Sequence, residues 1–415
     1  MDRRSRVPIG QSSTPELLQV LRGKDQVVKV LIVSTISYNP GDEFIRLGQQ
    51  HLLRQIFPSA EFDLVHKHDP RSIFSGYSRA DSDLWHPRLV PLQYKIYAGT
   101  KGKTQTDLLE ASDLVVFAGT PFFWISNARI FPSHSGNAEW VGPIWKRLFD
   151  ELPDKPVLNL AVGTSLQSQE GMNRMLTHQG ARSFLAKALS RANLTTARDP
   201  SSQLVAQKLG FEIPLLPCTS LWAADGANIA AKPAEYVAVN LMRHAVHKYR
   251  ATETATANWE KLATHLMAQL QKSHDVLLVC HSKDEEDVAK EWFPQVPRVY
   301  SMRPEDLLDA YSKSEFCVSN RVHGAAGAAT FGRPSLVIGG DTRVQLIKQF
   351  GLPALDSRDL TIEKLDQGLA SLIDHRDEYT QQLTELRNSA KAEYLGILRG
   401  CLSDCGLEQA ERQRA

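Results

Sequence analysis

Short apolar segments alternate with helical patterns in two series along this chain, and that alternation restricts its fold more than any other feature. The first series opens with Val27–Val33, a run rich in β-branched residues, and the second opens with Tyr236–Leu241. Strands and helices that alternate at this spacing form a parallel sheet with helices on both faces. The sequence therefore predicts an α/β protein with two doubly wound domains that face each other across a cleft, where such sheets bind ligands.

Residues 223–234 separate the two series. They are small and poor in apolar bulk, as the residues of a linker are. We therefore predict five parts along the chain: an N-terminal extension over 1–25, a first domain over 26–222, the linker over 223–234, a second domain over 235–360 and a helical C-terminal tail over 361–415. Two irregular stretches, 66–106 and 120–141, interrupt the first domain. Their aromatic residues are candidates for a substrate wall or for packing over the sheet edge.

Composition narrows the class of protein further. The 48 Lys and Arg residues nearly balance the 47 Asp and Glu residues, so the chain lacks the basic character of a nucleic-acid-binding protein. No segment approaches the roughly 18 unbroken apolar residues of a membrane-spanning helix. The charged N-terminus lacks the apolar stretch of a secretory signal. Because the five cysteines show no zinc-type pairing, we predict free thiols in a cytoplasmic protein with at most peripheral membrane contact.

The segment Ser319–Ala329 carries the strongest chemical signal. It leaves a predicted strand and enters a helix of very small residues, so that Arg321 and His323 lie where the strand ends and the helix begins. Unpaired N–H groups and the helix dipole favour an anion there, and the planar guanidinium of arginine suits phosphate or carboxylate. We expect the helix end to lower the pKa of His323, as suits a proton donor. The alternative is that Arg321 pairs with a nearby aspartate while His323 caps a turn.

The turn Asn39-Pro40-Gly41-Asp42-Glu43 opens the first predicted helix. Two carboxylates at this end would repel phosphate, but they would accept hydrogen bonds from hydroxyl groups. We predict Asp42 as the base for a sugar hydroxyl, and Asn39 and Glu43 as contacts to the substrate. The alternative is ordinary capping, with Asn39 as the cap, Pro40 in the first turn and both acids interacting favourably with the helix dipole.

Two further residues follow predicted strands of the second series and point to the same cleft edge. His281 comes after the strand Val276–Cys280, and Arg343 comes after the strand Leu336–Ile338. The alternatives are a surface histidine and an arginine that pairs with Asp341. The remaining clustered histidines lack companion carboxylates at ligand spacing, so we predict no metal site; they are His66, His68, His244 and His247.

Arg321-x-His323, a small-residue helix and then Phe331-Gly332-Arg333-Pro334 before an apolar strand resemble the polysaccharide pyruvyl transferase family. Residues 39–43, 113–119 and 197–210 resemble other segments of that family in the same order, and the resemblance extends from about residue 28 to residue 355. It implies two Rossmann-like domains in the GT-B arrangement. It also implies a transferase that moves the enolpyruvyl-derived group of phosphoenolpyruvate onto two hydroxyls of a glycan or glycan precursor, forming a pyruvate ketal and releasing phosphate.

The resemblance also implies roles for single residues. Arg321 would bind the phosphate or carboxylate of phosphoenolpyruvate, and His323 would act as the general acid. Arg243 matches an arginine that follows the first strand of the family's second domain. No cofactor is implied, because arginines can supply the positive charge. Where many relatives have a glycine cluster, this chain has Ala118-Gly119-Thr120-Pro121-Phe122-Phe123-Trp124, which alters the acceptor side of the cleft.

Other functions remain open at this stage. A GT-B-like glycosyltransferase that uses a nucleotide sugar is the alternative enzyme, and a binding protein that kept the fold without turnover is the alternative outside enzymes. The expected partners are phosphoenolpyruvate and a sugar or lipid-linked oligosaccharide acceptor, with no nucleic acid. A homo-oligomer is compatible with the sequence, which does not specify the oligomeric state.

Overall fold

A computed structural model describes residues 27–35, 39–66, 106–118, 121–123, 144–145, 147–165, 169–244 and 253–407. The predicted N-terminal extension and most of the stretches at 66–106 and 120–141 lie outside the described residues. Among the described helices, none combines the length and the apolar character that crossing a membrane requires.

The first sheet is parallel and has the strand order β2-β1-β3-β5-β4, with β6 pairing with β5 as well. Its strands are β1 (Lys29–Ser34), β2 (Glu61–His66), β3 (Leu114–Ala118), β4 (Pro121–Phe123), β5 (Val157–Thr164) and β6 (Leu194–Ala197). The helices of this part are α1 (Pro40–Arg54), α2 (Thr106–Ala111), α3 (Gln169–Thr177), α4 (Gln179–Arg191) and α5 (Pro200–Lys208). β1, β3 and β5 are buried almost completely, as strands covered on both faces must be.

The second sheet is also parallel and has the order β12-β11-β10-β7-β8-β9. Its strands are β7 (Tyr236–Asn240), β8 (Val276–Cys280), β9 (Arg298–Tyr300), β10 (Ser314–Ser319), β11 (Ser335–Gly339) and β12 (Ala354–Asp356). The helices between them are α7 (Glu253–Leu270), α8 (Lys283–Trp292), α9 (Pro304–Ser312), α10 (Val322–Ala329) and α11 (Val344–Gln349). Two sheets of parallel strands with helices between them confirm the predicted fold class. In the second sheet the strand order reverses between β7 and β10, and doubly wound sheets bind ligands at such a point.

Residues 223–227, which open the predicted linker, form a helix instead, α6 (Ala223–Ala227), directly after the 3₁₀ turn Thr219–Trp222. Gly226 lies against the backbone of Leu47 in α1, where a Cβ atom would overlap the Leu47 carbonyl. Small residues therefore serve close helix packing at this point, although their size was the reason to assign them to a linker.

Helix α1 lies between the two sheets. Ile45 and Leu52 belong to an apolar cluster with strands of the first sheet. Phe44 and Leu47 pack in a different cluster, which contains Ala238, Val279 and Cys317 of the second sheet. One helix therefore contributes to the cores of both domains and places its N-terminus at their boundary.

The tail is helical, as predicted. Helix α12 (Ile362–Asp374) begins after Thr361, whose side chain accepts a hydrogen bond from the Lys364 N–H. Helix α13 (Arg376–Asp404) returns to the first domain, where the ring of Tyr394 packs edge-on against Trp222 with 5.6 Å between ring centroids.

Candidate active site between the two sheets

His323 lies at the point where the two domains meet. It is the second residue of α10, and only 5% of its surface is exposed. Its ring lies against the backbone of Gly41 at the start of α1, where a Cβ atom would overlap the Nδ1 and Cγ atoms of His323. Within the described part of the chain, Nε2 of His323 has no hydrogen-bond partner. The imidazole is therefore held on one side by the first domain and keeps one nitrogen available.

The charges of three arginines act on this imidazole, and we call Arg198, Arg321 and Arg343 the cationic cluster. Burial lowers the pKa of His323 well below its ordinary value, and the positive charges of the cationic cluster lower it further. The direction agrees with the sequence expectation, but burial is the largest cause. At neutral pH the ring of His323 is therefore neutral in this state.

Arg198 comes from the first domain and follows β6 directly. Its side chain is buried, with 1% exposed, and its Nη1 makes no hydrogen bond to any described residue. Gly163 of β5 provides the space, since a Cβ atom there would overlap the guanidinium. A buried, partly unsatisfied guanidinium is costly unless it serves an anion. Sequence reasoning noted Arg198 only as part of the family's Arg-Asp stretch. Its position between a strand and a proline-led helix is the signal that could have singled it out.

Arg321 forms an ion pair with Glu285 of α8 through its Nη2 atom, while its Nε atom has no partner among the described residues. Glu285 also accepts hydrogen bonds from Asn240 Nδ2 (2.8 Å) and from the His281 N–H (2.7 Å). Burial alone would raise the pKa of Glu285, but the charge of Arg321 and these hydrogen bonds lower it. The charge of Arg321 is thus partly neutralised by an acidic residue. Pairing with an aspartate was the alternative that the sequence left open, but the partner is a glutamate. Because Glu285 follows the cap Ser282, its sequence position indicates only helix capping.

Arg343 and Asp42 approach each other across the domain boundary. Arg343 donates two parallel hydrogen bonds to Asp341, from Nε to Oδ1 (2.9 Å) and from Nη2 to Oδ2 (2.6 Å). The pairing with Asp341 that the sequence analysis gave as the alternative is therefore present. Burial opposes the charge on Arg343, yet Asp341 and then Asp42 raise the pKa of the guanidinium. Asp42 also accepts a hydrogen bond from the Thr35 hydroxyl (2.5 Å).

His281 is buried beside the cluster. Its Nε2 hydrogen-bonds to the Tyr311 hydroxyl (2.7 Å), and its ring packs edge-on against Phe44 of α1. Burial lowers the pKa of His281 to about 4, so the ring is neutral. The alternative that His281 is a surface histidine is therefore wrong. Its ring instead packs at the boundary between the two domains.

The other predicted site residues have local partners. Asn39 caps α1 by accepting a hydrogen bond from the Gly41 N–H (3.2 Å), as its alternative stated. Glu43 is buried and forms an ion pair with Arg46 in the next turn. Arg243 lies at the surface with 42% of its side chain exposed and pairs with Glu291, so the structure does not bring it into the cationic cluster. Within the described ranges, no three side chains of metal-ligating type gather into a metal site.

Replacing Gly41 with alanine tests the contact between the domains. The added methyl group would overlap the His323 ring, so we expect Gly41→Ala to lower the free energy of unfolding by about 1–3 kcal/mol, as overpacking in a tight core does. Gly396→Ala in α13 is the matched control, because a Cβ atom there meets nothing within 4 Å. Thermal unfolding of both variants decides the matter, and equal melting temperatures would contradict the contact.

Solved structures with the same architecture place this chain among GT-B-fold proteins. The S. aureus MnaA–UDP structure is 12% identical and has a TM-score of 0.53, with 92% of this chain and 98% of that chain covered. A UDP-GlcNAc 2-epimerase from Neisseria meningitidis bound to UDP-GlcNAc is also 12% identical and has a TM-score of 0.52, with 90% of this chain and 100% of that chain covered. At such low identity the likeness shows the fold alone. A search of curated proteins found no significant match.

Family membership is more specific than the fold. The model of the family "Polysaccharide pyruvyl transferase" matches residues 39–342, which include every strand except β1 and β12 and two of the three arginines of the cationic cluster, Arg198 and Arg321. This chain therefore belongs to the polysaccharide pyruvyl transferase family, and it is a transferase. The resemblance seen in the sequence is confirmed.

Proposed function

We propose that this enzyme transfers the pyruvyl group of phosphoenolpyruvate onto two hydroxyls of a glycan or glycan precursor, forming a pyruvate ketal and releasing phosphate. The cationic cluster around His323 is the observation that carries the proposal. Phosphoenolpyruvate has a phosphate and a carboxylate on three carbons, so its binding site needs at least two cations close together. Family membership supports the reaction class.

The donor would bind among the three arginines. Arg198 offers its unpaired Nη1 atom and Arg321 its unpaired Nε atom, while Arg343 adds positive charge that Asp341 partly neutralises. This assignment adds Arg198 as an anion ligand beside Arg321, for which the family resemblance implied binding of phosphate or carboxylate. Arg243, Asn39, Glu43 and His281 stay predictions as substrate contacts.

His323 would supply the proton that starts the reaction. In the absence of donor its ring is neutral, because burial and the arginines lower its pKa. The negative charges of bound phosphoenolpyruvate would offset the cationic cluster and raise this pKa, so the ring would gain a proton as the donor binds. His323 would then protonate the methylene carbon of phosphoenolpyruvate, leaving positive charge at the adjacent carbon that bears the phosphate.

Two hydroxyls of the acceptor would complete the transfer. The first hydroxyl attacks the positive carbon and loses its proton, for which Asp42 is the proposed base. The second hydroxyl displaces phosphate and also loses a proton, so that the products are the ketal and inorganic phosphate. Two observations support this role: Asp42 follows Gly41, whose backbone contacts the His323 ring, and its charge acts on Arg343 of the cationic cluster.

Incubation with phosphoenolpyruvate and a panel of free and lipid-linked sugar acceptors tests the proposal. We expect acceptor-dependent release of phosphate together with a mass gain of one carboxyethylidene group on the sugar. Phosphoenolpyruvate alone should also raise the melting temperature, by an amount equivalent to about 2.7 kcal/mol at one hundred times its dissociation constant. Stabilisation by a nucleotide sugar, with release of a nucleotide, would replace this proposal with the glycosyltransferase alternative.

A further inference from the structure

Strand β5 contains a bulge directly beside the cationic cluster. Asn159 pairs with Thr195 and Val162 pairs with Ala197, so Leu160 and Ala161 together face the single residue Thr196 of β6. Ala161 has a φ angle of 55°, a left-handed conformation that residues other than glycine rarely adopt. Such an outlier in a buried strand indicates that the surrounding structure imposes this conformation.

The Thr196 side chain satisfies the backbone of this bulge. Its Oγ1 accepts a hydrogen bond from the Ala161 N–H (2.8 Å), which the irregular pairing removes from the regular ladder. The same hydroxyl hydrogen-bonds to the hydroxyl of Tyr394 (3.3 Å), a residue of the C-terminal helix α13. Thr196 and Tyr394 are both fully buried, so no solvent replaces either contact.

The bulge determines which side chains face Arg198. An extra residue in a strand reverses the direction of every side chain that follows it, because successive side chains alternate between the faces. Gly163, two residues after Ala161, therefore lies under the Arg198 guanidinium, where any side chain would overlap it. The Arg198 N–H donates to the Val162 carbonyl (3.0 Å), which ties the backbone of Arg198 to the same bulge.

We propose that Thr196, supported by Tyr394 of the C-terminal helix, is a positioning residue that fixes the bulge and thereby aims Arg198 at the donor site. The inference rests on the proposed function and adds to it a role for the C-terminal tail. Neither residue needs to touch the substrate, since both act through the backbone of β5 and the guanidinium of Arg198.

Thr196→Val tests the proposal, because it replaces the hydroxyl with a methyl group of the same shape. Thr195→Val is the matched control. The Thr195 hydroxyl is also buried, but it has no hydrogen-bond partner within the described residues. We expect Thr196→Val to raise the KM for phosphoenolpyruvate by roughly 10-fold while kcat changes by less than about threefold. Thr196→Ser, which keeps the hydroxyl, should restore the wild-type KM, and Tyr394→Phe should raise it by roughly two- to fivefold.

A readout without turnover separates positioning from simple destabilisation. Inorganic phosphate should raise the melting temperature of the wild type and of Thr195→Val, and the increase should be smaller in Thr196→Val. If Thr196→Val is too unstable to purify, Tyr394→Phe serves in both measurements.

A wild-type KM and a wild-type phosphate response in Thr196→Val would overturn this inference alone. Equal effects in Thr195→Val would overturn it too. Absence of both phosphoenolpyruvate turnover and phosphate stabilisation in the wild type would overturn the proposed function, and the positioning role would fall with it.

Discussion

Replacing His323 with alanine is expected to lower phosphate release from phosphoenolpyruvate at saturating substrates by a factor of roughly 100 or more. Loss of the general acid removes the step that makes the donor carbon electrophilic, while the arginines that bind the donor remain. His375→Ala is the matched control, because His375 lies exposed at the start of the tail helix. Turnover that stays near the wild-type rate in His323→Ala would assign the acid to another group.

Calorimetry tests the same role of His323 by measuring proton uptake on donor binding instead of the reaction rate. Because the pKa of His323 is lowered in the ligand-free enzyme, bound phosphoenolpyruvate should bring it back up and draw in about one proton at neutral pH. Titration in two buffers of different ionisation enthalpy measures that uptake. We expect it in the wild type and in His375→Ala, and we expect it to be absent in His323→Ala. Equal uptake in all three proteins would show that the proton goes elsewhere.

Replacing Arg198 with methionine is expected to raise the KM for phosphoenolpyruvate by roughly 100-fold, which corresponds to about 2.7 kcal/mol. Hydrogen bonds between charged groups contribute on that scale when they are shielded from water. The same change should leave the melting temperature unchanged or raise it, since a buried and partly unsatisfied cation gives way to an apolar chain of similar length.

Arg191→Met is the control variant, and it should have the opposite effects on the KM and on the melting temperature. Arg191 donates to the backbone carbonyls of Leu148, Leu152 and Lys155, so its loss should lower the melting temperature without altering the KM for the donor. Thermal unfolding and steady-state kinetics on both variants form the measurement. A destabilised Arg198→Met enzyme with an unchanged KM would mean that Arg198 is structural.

Local sequence patterns were sufficient to predict the fold class. Buried parallel strands are continuous apolar runs, so Val276–Cys280 was predicted with the bounds that the structure has. The strand-to-helix position of Arg321 and His323 could likewise be predicted, because it depends only on neighbouring residues.

Contacts between distant segments could not be predicted in this way. The ion pair between Glu285 and Arg321, the contact of Gly41 with His323 and the position of Arg198 all join residues far apart in the chain. Each depends on how the two sheets are oriented, which no local period encodes. For the same reason, small residues at 223–227 were assigned to a linker, although close packing against α1 is what requires their size.

Helix α1 supplies side chains to the cores of both domains, and the tail helix crosses back to the first domain. Severing the chain between the two sheets would consequently leave each half with an open apolar seam, so neither fragment is suited to fold alone. We therefore expect the two domains to unfold together, as one cooperative unit.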